Sequence, residues 1–433
     1  MIAFITIIIL LTAFIGTPLF ATLGLLPSVF FHYVADVPLQ AMITQVSTMI
    51  KAPGLIALPL FTFMGYILTY SKTSQRIADF ADNWLGWLPG GLAITTIISY
   101  TAFSAISGGS AIAVMALGGI YYAALLKAGY NTKFSLGICT VFGGGGMLFP
   151  PSLPVIILGF IAYISIDTLF VAAFIPGIIV VSIFLVYCII NAIMGRVEST
   201  PFSYQKAMKS LKDISFEIPL PFLIIGGIFT GWMSIVEVAI ITLIYVIITQ
   251  CLLRREVNLV DFKRAALNSM LLFGAIFAVM TSALTLSNFL IDNYIPQRAL
   301  EFIQGFISSR IVFLLFLNII LLITGCLMDI FSAILVMVPL LLPVAKGYDI
   351  APLHFAVIFL WNLEIGYSTP PIGFNLFVGS FRFRKPLETL WRAAIPGLIA
   401  QIIGLVVITY WPDLTLWLPR FLGMTKELIK FTI

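Results

Sequence analysis

The stretch GYSTPPIGFN, residues 366–375, interrupts a long apolar run with two prolines, two glycines and three polar side chains. A related break, GGGGMLFPPS, occupies residues 143–152. Proline removes a backbone donor and clashes with the preceding turn, and glycine permits tight turns, so both stretches predict broken helices. Inside a membrane, unwound backbone survives only where protein buries it or where it lines a cavity. Two such breaks therefore indicate one buried functional centre.

The composition places the chain in a lipid bilayer. Of its 433 residues, 61% are hydrophobic and 9% are charged, whereas soluble domains usually carry about 25% charged residues. A spanning helix needs roughly 20 apolar residues, and the chain offers about ten to twelve such segments or half-segments. The net charge of +5 lies in loops and gives no support for nucleic-acid binding. We expect an all-α polytopic membrane protein.

Four ordered matches indicate an internal repeat. They are AIAVM at 111–115 with AILVM at 333–337, the Pro-Pro pairs at 150–151 and 370–371, IPG at 175–177 and 395–397, and KAGY before Asn131 with AKGY before Asp349. The offset is 220 to 222 residues for the first three, close to half the chain. We predict a first repeat over residues 1–195, with short helices near 2–15 and 18–35, a connector over 196–217, and a second repeat over 218–433.

The loop charges orient the two repeats. Basic residues are concentrated in loops 196–212, 254–264 and 382–385, which should face the cytoplasm. The loop after the first Pro-Pro, near Asp167, has no Lys or Arg, whereas the equivalent loop after the second Pro-Pro, 382–385, has three. Equivalent loops thus face opposite sides, so we expect an inverted repeat with a cytoplasmic connector.

A second irregular point lies upstream of each break. It reads SAISGGSA at residues 104–111 and TGCLMDIFSA at residues 324–333. Small residues between apolar helices predict the tip of a re-entrant hairpin, although a small-residue packing face is the alternative. Asp329 is a functional candidate because acids inside membranes are costly, and an exposed cap of the hairpin tip is its alternative.

Other polar residues in apolar runs have two open interpretations. Glu364, Asn362 and Asn375 belong either to the functional centre or to interhelical hydrogen bonds. Glu237 follows a helix start, where an acid favours the helix dipole. His354 is too isolated for a metal site and is expected in a loop or at a helix start.

The motifs indicate a secondary transporter and not an enzyme. The sequence contains no P-loop motif, serine-nucleophile elbow or paired-aspartate motif, so we expect no nucleotide hydrolysis and no organic cofactor. Inverted repeats with broken helices are typical of carriers driven by an ion gradient. Carbonyls freed at a break and helix C-termini suit Na⁺, whereas half-helix N-termini suit carboxylates.

Three stretches carry a family resemblance. MDIFSAILVMVPLLLPVAKGYDIAPLHFAVIFLWNLEIGYSTPPIGFNLFVGS, residues 328–380, resembles the second-half core of the large membrane subunit of TRAP transporters, the tripartite ATP-independent periplasmic transporters. IFTGWMSIVEVA, residues 228–239, resembles the start of the second half in that family, and GGSAIAVMALGGIYYAALLKAGY, residues 108–130, resembles its first hairpin. The resemblance extends over essentially the whole chain.

The resemblance implies an elevator-type, Na⁺-driven importer of small organic acids in the bacterial inner membrane. Its expected partners are a small four-helix membrane subunit, a periplasmic substrate-binding protein and the lipid bilayer. A stand-alone ion-coupled anion carrier of the same architecture is the first alternative. A non-transporting membrane scaffold or an intramembrane enzyme is the second.

The resemblance also implies the site residues. The expected sodium ligands are Ser107, Gly108, Ser110, Gly143, Gly146, Gly325, Asp329, Gly366, Ser368 and Thr369, and the expected substrate contacts are Ser152, Pro371 and Asn375. The first half departs from the family, which often has a hydroxyl at the position of Gly109, a polar or acidic residue at that of Ala113, and Ser-Thr at those of Gly143 and Gly144. Backbone carbonyls would replace the missing side chains, or the ion stoichiometry would differ.

Overall fold

The chain is helical throughout the part that the structure describes. This structure, a computed structural model, describes residues 19–33, 53–197, 199 and 201–424, together with 9, 11, 17, 44 and 47. No strand occurs among these residues. The short helix predicted near residues 2–15 lies outside the described residues for nearly all of its length, and the one predicted near 18–35 corresponds to the first helix named below.

The first half and the connector contain nine helices within the described ranges. They are α1 Leu19–Tyr33, α2 Pro53–Tyr70, α3 Thr73–Leu85, α4 Gly91–Ser107, α5 Ser110–Lys127, α6 Thr132–Val141, α7 Leu153–Ile161, α8 Ile166–Gly195 and α9 Tyr204–Asp213. The second half follows with α10 Pro219–Phe229, α11 Ile235–Val246, α12 Leu259–Asp292, α13 Ile295–Gln304, α14 Arg310–Leu327, α15 Ile330–Lys346, α16 Pro352–Tyr367, α17 Phe374–Phe383, α18 Leu387–Tyr410 and α19 Asp413–Phe421.

Six of these helices are long and apolar enough to cross a membrane, namely α5, α8, α11 with its π-helical extension Ile247–Leu253, α12, α14 and α18. The pair α2 and α3 adds a seventh span if it is counted as one, although a bend of 72° separates its two helices. Shorter apolar helices include α4, α10 and α15. The predicted all-helical polytopic membrane fold is confirmed.

A break of two residues separates the helices at both predicted hairpin tips. Between α4 and α5 only Gly108 and Gly109 intervene, and Gly108 has a φ of 75°, which side chains other than glycine rarely adopt. Between α14 and α15 the turn consists of Met328 and Asp329. The Asp329 carboxylate accepts hydrogen bonds of 3.0 Å from the amides of Phe331 and Ser332 and so caps α15.

Both Pro-Pro stretches separate half-helices. In the first half, α6 ends at Val141, a 3₁₀ turn covers Phe142–Gly144, and α7 begins at Leu153. In the second half, α16 ends at Tyr367 and α17 begins at Phe374. The Pro–Pro peptide bond is cis in each break. The helical ladder is therefore interrupted at the two places that the prolines and glycines predict.

The two halves pack crosswise. The hairpin helix α5 of the first half packs against half-helix α17 of the second, and the hairpin helix α15 of the second half packs against half-helix α7 of the first. The backbone repeats as well: left-handed residues occur at Gly129 and Asp349 and again at Tyr163 and Arg384, 220 and 221 residues apart. Because each hairpin contacts the other half's break, the breaks of both halves meet in the centre.

A buried ion cluster joins three distant segments on the side of the connector. Arg76 of α3 contacts Glu217 at 2.5 Å and Glu256 at 2.6 Å, and Arg254 contacts Glu217 at 3.3 Å. The Gln250 amide donates a further hydrogen bond of 3.1 Å to Glu217. The cluster contains two arginines and two glutamates, so its charges cancel. It joins α3 to the start of the second half without burying a net charge.

We expect Glu217→Gln to destabilise the protein because it leaves Arg76 buried with one carboxylate fewer. Removing one partner of a buried pair costs about 3 kcal/mol or more. The matched control is Glu388→Gln, which removes an exposed pair with Arg392 of 2.7 Å and should cost roughly 0.5 kcal/mol. Thermal unfolding of the detergent-purified variants measures the difference. Equal losses in both variants would contradict a structural role for the cluster.

The inverted orientation predicts opposite accessibility for two equivalent loops. In a background without the four cysteines, Tyr163→Cys should react with impermeant thiol reagents from the periplasm, and Lys385→Cys should react only after the membrane is opened. Both native side chains are exposed, so burial does not limit labelling. Labelling of Lys385→Cys in intact cells would show that the two loops lie on the same side.

Candidate transport site

A cavity of about 200 Å³ lies where the two halves meet. Its walls come from the first hairpin tip, from both breaks, from the start of α15, and from helices α2 and α12. Most of the lining is apolar, with the aromatic residues Tyr66, Tyr367 and Phe374 among it. No lysine, arginine or histidine is found among the described lining residues. The described wall of the cavity is therefore mainly apolar and has no basic side chain.

Four helices begin at the cavity wall. Their first residues are Ser110 of α5, Leu153 of α7, Ile330 of α15 and Phe374 of α17. A helix N-terminus presents unpaired amides and about half a positive charge. The Asp329 side chain caps α15. In α5, α7 and α17, the residue before the helix makes no capping hydrogen bond through its side chain. Three uncapped N-termini therefore give the cavity a positive potential that comes from the backbone.

Glu364 provides the acidic side chain of this region. It is 1% exposed and lines the cavity, and no other Asp or Glu occurs in the described lining. The Asn375 amide donates to it at 3.2 Å, and the Ser110 hydroxyl and the Gly144 amide also interact with it. The Ser110 hydroxyl donates its hydrogen-bonding proton to the side-chain oxygen of Asn375 at 3.0 Å. A single polar network thus joins the first hairpin tip to both breaks.

Two hydroxyls in the cavity wall have no hydrogen-bond partner in the described part of the chain. Ser107 at the first hairpin tip is 7% exposed, and Ser152 at the start of α7 is 1% exposed. Buried polar atoms are normally hydrogen-bonded, so both are suited to bind a ligand that enters the cavity. Hydroxyl, carboxylate and freed carbonyl oxygens are also ligands that Na⁺ accepts. The cavity wall therefore offers oxygen atoms of the types that bind Na⁺.

Further side chains hold the breaks together. The Val141 carbonyl at the end of α6 accepts hydrogen bonds from Ser368 at 3.4 Å and from Gln401 at 3.1 Å. The Gly146 amide donates to Ser104 of α4 at 2.8 Å. Backbone groups that the first break releases are thus bound by residues of both halves.

The glycines predicted as sodium ligands lie at close backbone contacts. A Cβ on Gly366 would lie 2.4 Å from the Gly325 carbonyl carbon, so α14 and α16 can approach only without side chains there. A Cβ on Gly143 would lie 2.9 Å from the Ser110 carbonyl oxygen. Close packing explains glycine at these positions, and it leaves their carbonyls as candidates for ion binding.

Several predicted residues are absent from the described cavity lining, namely Gly143 and Gly146 of the first half and Gly325, Asp329, Gly366, Ser368, Thr369, Pro371 and Asn375 of the second. Asp329 is exposed and caps α15, which matches its alternative interpretation as a hairpin-tip cap. The Thr369 hydroxyl donates to the Ile365 carbonyl at 2.7 Å. Pro371 is exposed. In contrast, the cavity lining includes Ser107, Gly108, Ser110 and Ser152. Asn375 contacts the Glu364 carboxyl group in the cavity wall. Ligand binding by any of them stays a prediction.

The structure resolves the interpretations left open for other polar residues. Asn362 donates to Asn318 at 2.8 Å and thus forms an interhelical hydrogen bond. Glu237 forms a capping box with Ser234 at the start of α11, as its position favours. His354 lies in the first turn of α16 and is buried. Glu364 is the residue that sequence reasoning left undecided, because spacing alone could not show that Ser110 and Gly144 meet it.

A helical membrane fold with two broken helices that meet at a central cavity is typical of carriers. The sequence matches the family "Tripartite ATP-independent periplasmic transporter, DctM component" over residues 5–414. The chain therefore belongs to the large permease subunits of TRAP transporters. It is a multi-pass protein of the bacterial inner membrane and not an enzyme.

Relatives agree with this assignment, and a solved structure shares the fold. The chain is 32% identical over 372 residues to the C4-dicarboxylate TRAP transporter large permease protein DctM of Pseudomonas aeruginosa, with 86% of this chain and 87% of that protein covered. It is 30% identical over 375 residues to the sialic acid TRAP transporter large permease protein SiaM of Vibrio cholerae, with 85% and 87% covered. The crystal structure of the Alcanivorax borkumensis YdaH transporter shares the fold, with a TM-score of 0.61, 13% identity, and 98% and 99% of the two chains covered.

We expect Gly144→Ala to disrupt the cavity, because a Cβ at this position would lie 2.0 Å from the Glu364 carboxyl carbon. Overpacking of this kind costs about 1–3 kcal/mol. The matched control is Gly274→Ala, where a Cβ has no neighbour within 4 Å. Thermal unfolding should show a loss only for Gly144→Ala, and Gly144→Ala/Glu364→Ala should recover stability. Unchanged stability of Gly144→Ala would contradict the contact.

Proposed function

We propose that this permease imports a small organic acid, coupled to the inward movement of Na⁺, through the cavity between the two breaks. The observation that supports it best is the set of three uncapped helix N-termini at one cavity. Amides of such termini bind carboxylates without a basic side chain, and broken helices of carriers place them toward anionic substrates. The names of the relatives, which mention C4-dicarboxylates and sialic acid, are consistent with an acidic substrate.

The charge balance of the cavity supports coupling to a cation. Each helix N-terminus carries about half a positive charge, so three of them leave little to offset an anionic substrate when the Glu364 carboxylate is ionised. An unpaired charge in a dry site is costly. An entering carboxylate would therefore bind more favourably together with Na⁺, for which Ser107, Ser110, Ser152 and neighbouring carbonyls are the proposed ligands.

The word tripartite in the family description supports two further components. We propose that they are a small four-helix membrane subunit and a periplasmic substrate-binding protein, and that the binding protein provides most of the substrate specificity. An elevator motion would move the hairpin tips and breaks past helices α2 and α12, which also line the cavity. A stand-alone carrier remains the alternative, and it predicts uptake without a binding protein.

Uptake into proteoliposomes tests the proposal. The chain, reconstituted with the small membrane subunit and the binding protein encoded beside it, should accumulate its organic acid under an inward Na⁺ gradient without ATP. A C4-dicarboxylate and sialic acid are the first substrates to try. Equal uptake in Na⁺-free choline buffer would contradict sodium coupling, and equal uptake without the binding protein would favour the stand-alone carrier.

Ser152→Ala should reduce this uptake about tenfold, because a hydrogen bond to a charged group contributes roughly 1.5–3 kcal/mol. The reduction should be accompanied by a higher Na⁺ or substrate requirement in concentration series. Ser182→Ala is the control, since the Ser182 hydroxyl bonds only the Ile178 carbonyl of its own helix, at 2.8 Å. Wild-type uptake by Ser152→Ala would show that the unpartnered hydroxyl does not contact either substrate.

A further inference from the structure

The connector helix α9 exposes a face of three lysines. Lys206, Lys209 and Lys212 are all exposed and recur every third residue, whereas Ala207 and Ser210 between them are buried. Since residues three apart neighbour one another on a helix, the lysines form one strip, here called the lysine face. The buried residues face α3, against which α9 packs. The lysine face therefore points away from the protein.

Contacts at both ends hold this helix in place. The indole of Trp84 in α3 donates a hydrogen bond of 3.1 Å to the Ala207 carbonyl. At the other end the Arg254 guanidinium donates to the Asp213 carbonyl and lies over the Phe216 ring, 5.0 Å from its centroid. Arg254 also belongs to the buried ion cluster. The lysines are thus presented by a fixed helix and not by a free loop.

The lysine face keeps its charge within the described part of the protein. No salt bridge joins Lys206, Lys209 or Lys212 to a carboxylate there. Two acids neighbour the face: Asp213 ends the same helix, and Asp82 of α3 lies within electrostatic reach of Lys206. The three lysines outnumber these two acids, so the lysine face has an excess of positive charge.

Exposed apolar side chains border the lysines. Tyr204 is 68% exposed, Phe202 48% and Met208 40%. Lysines beside exposed aromatic residues on a short amphipathic helix are typical of helices that lie at the surface of a membrane, where the apolar groups enter the headgroup boundary. A face directed only to water would gain nothing from these aromatic residues.

We propose that the lysine face of α9 binds the headgroups of anionic phospholipids in the cytoplasmic leaflet. Clustered basic residues near membrane helices attract anionic lipids, and the attraction falls off within a Debye length. The proposal depends on the cytoplasmic location of the connector and not on substrate or sodium coupling. It assigns the connector a second attachment to the membrane, beside the transmembrane helices that it joins.

Lipid-dependent quenching tests the proposal in the full chain. Gln205→Cys, exposed on α9, carries a fluorophore in the cysteine-free background, in nanodiscs of phosphatidylcholine that contain spin-labelled phosphatidylglycerol or spin-labelled phosphatidylcholine. We expect the phosphatidylglycerol to quench at least twofold more strongly at low salt and the preference to weaken in 0.5 M NaCl. Equal quenching by both lipids would overturn the proposal.

Two variants that each remove three positive charges test whether the lipid preference depends on the lysine face. Lys206→Gln/Lys209→Gln/Lys212→Gln should abolish the preference for phosphatidylglycerol. Arg255→Gln/Lys263→Gln/Arg264→Gln removes three exposed charges outside α9 and should retain it. Equal losses in both variants would show a diffuse effect of net charge and not a binding face. A preference that disappears when the small membrane subunit is added would show that protein, and not lipid, covers the face.

Discussion

The structure depends on one constraint, which is that backbone groups released inside a membrane must find partners within the protein. Each Pro-Pro stretch ends a helix in apolar surroundings and leaves amides and carbonyls without helical partners. The Val141 carbonyl is bound by Ser368 and Gln401, and the Gly146 amide by Ser104. Some of the released groups are thus satisfied by residues distant in sequence, and others by turns within the breaks, such as the bond from the Met147 amide to the Gly144 carbonyl. The uncapped N-termini of α7 and α17, which follow the breaks, line the cavity.

Crosswise packing of the halves makes this arrangement possible. The hairpin helix of each half lies against the second half-helix of the other, so helix starts from both halves converge on one cavity. Helix N-termini with positive backbone dipoles and the buried acid Glu364 therefore line the same cavity. In surroundings of low dielectric constant, electrostatic interactions between such groups are stronger than they are in water.

The connector side of the protein follows a different principle. There the charged side chains are paired, as in the cluster of Arg76, Glu217, Glu256 and Arg254, or are exposed, as on α9. The cluster binds α3 to the second half, and α3 packs against α4, which leads to the first hairpin tip. The attachment of the connector is therefore linked through packed helices to the wall of the cavity.

The sequence by itself determined the membrane class, the two breaks, the two hairpin tips and the family, because proline, glycine and apolar runs act locally and the motifs are continuous in the chain. It also indicated Ser107, Ser110, Ser152 and Asn375 as members of the centre. Only the tertiary structure decided that Glu364 lies in the cavity wall, since its partners Ser110 and Gly144 come from the other half. Likewise, Asp329 has the residue type of a functional acid, yet its carboxylate caps α15 on the exposed side of the second hairpin. The role of a polar residue in this membrane protein depends on which residues of the other half lie beside it. Such partners, for example Gly144 and Glu364, are 220 residues apart in the sequence.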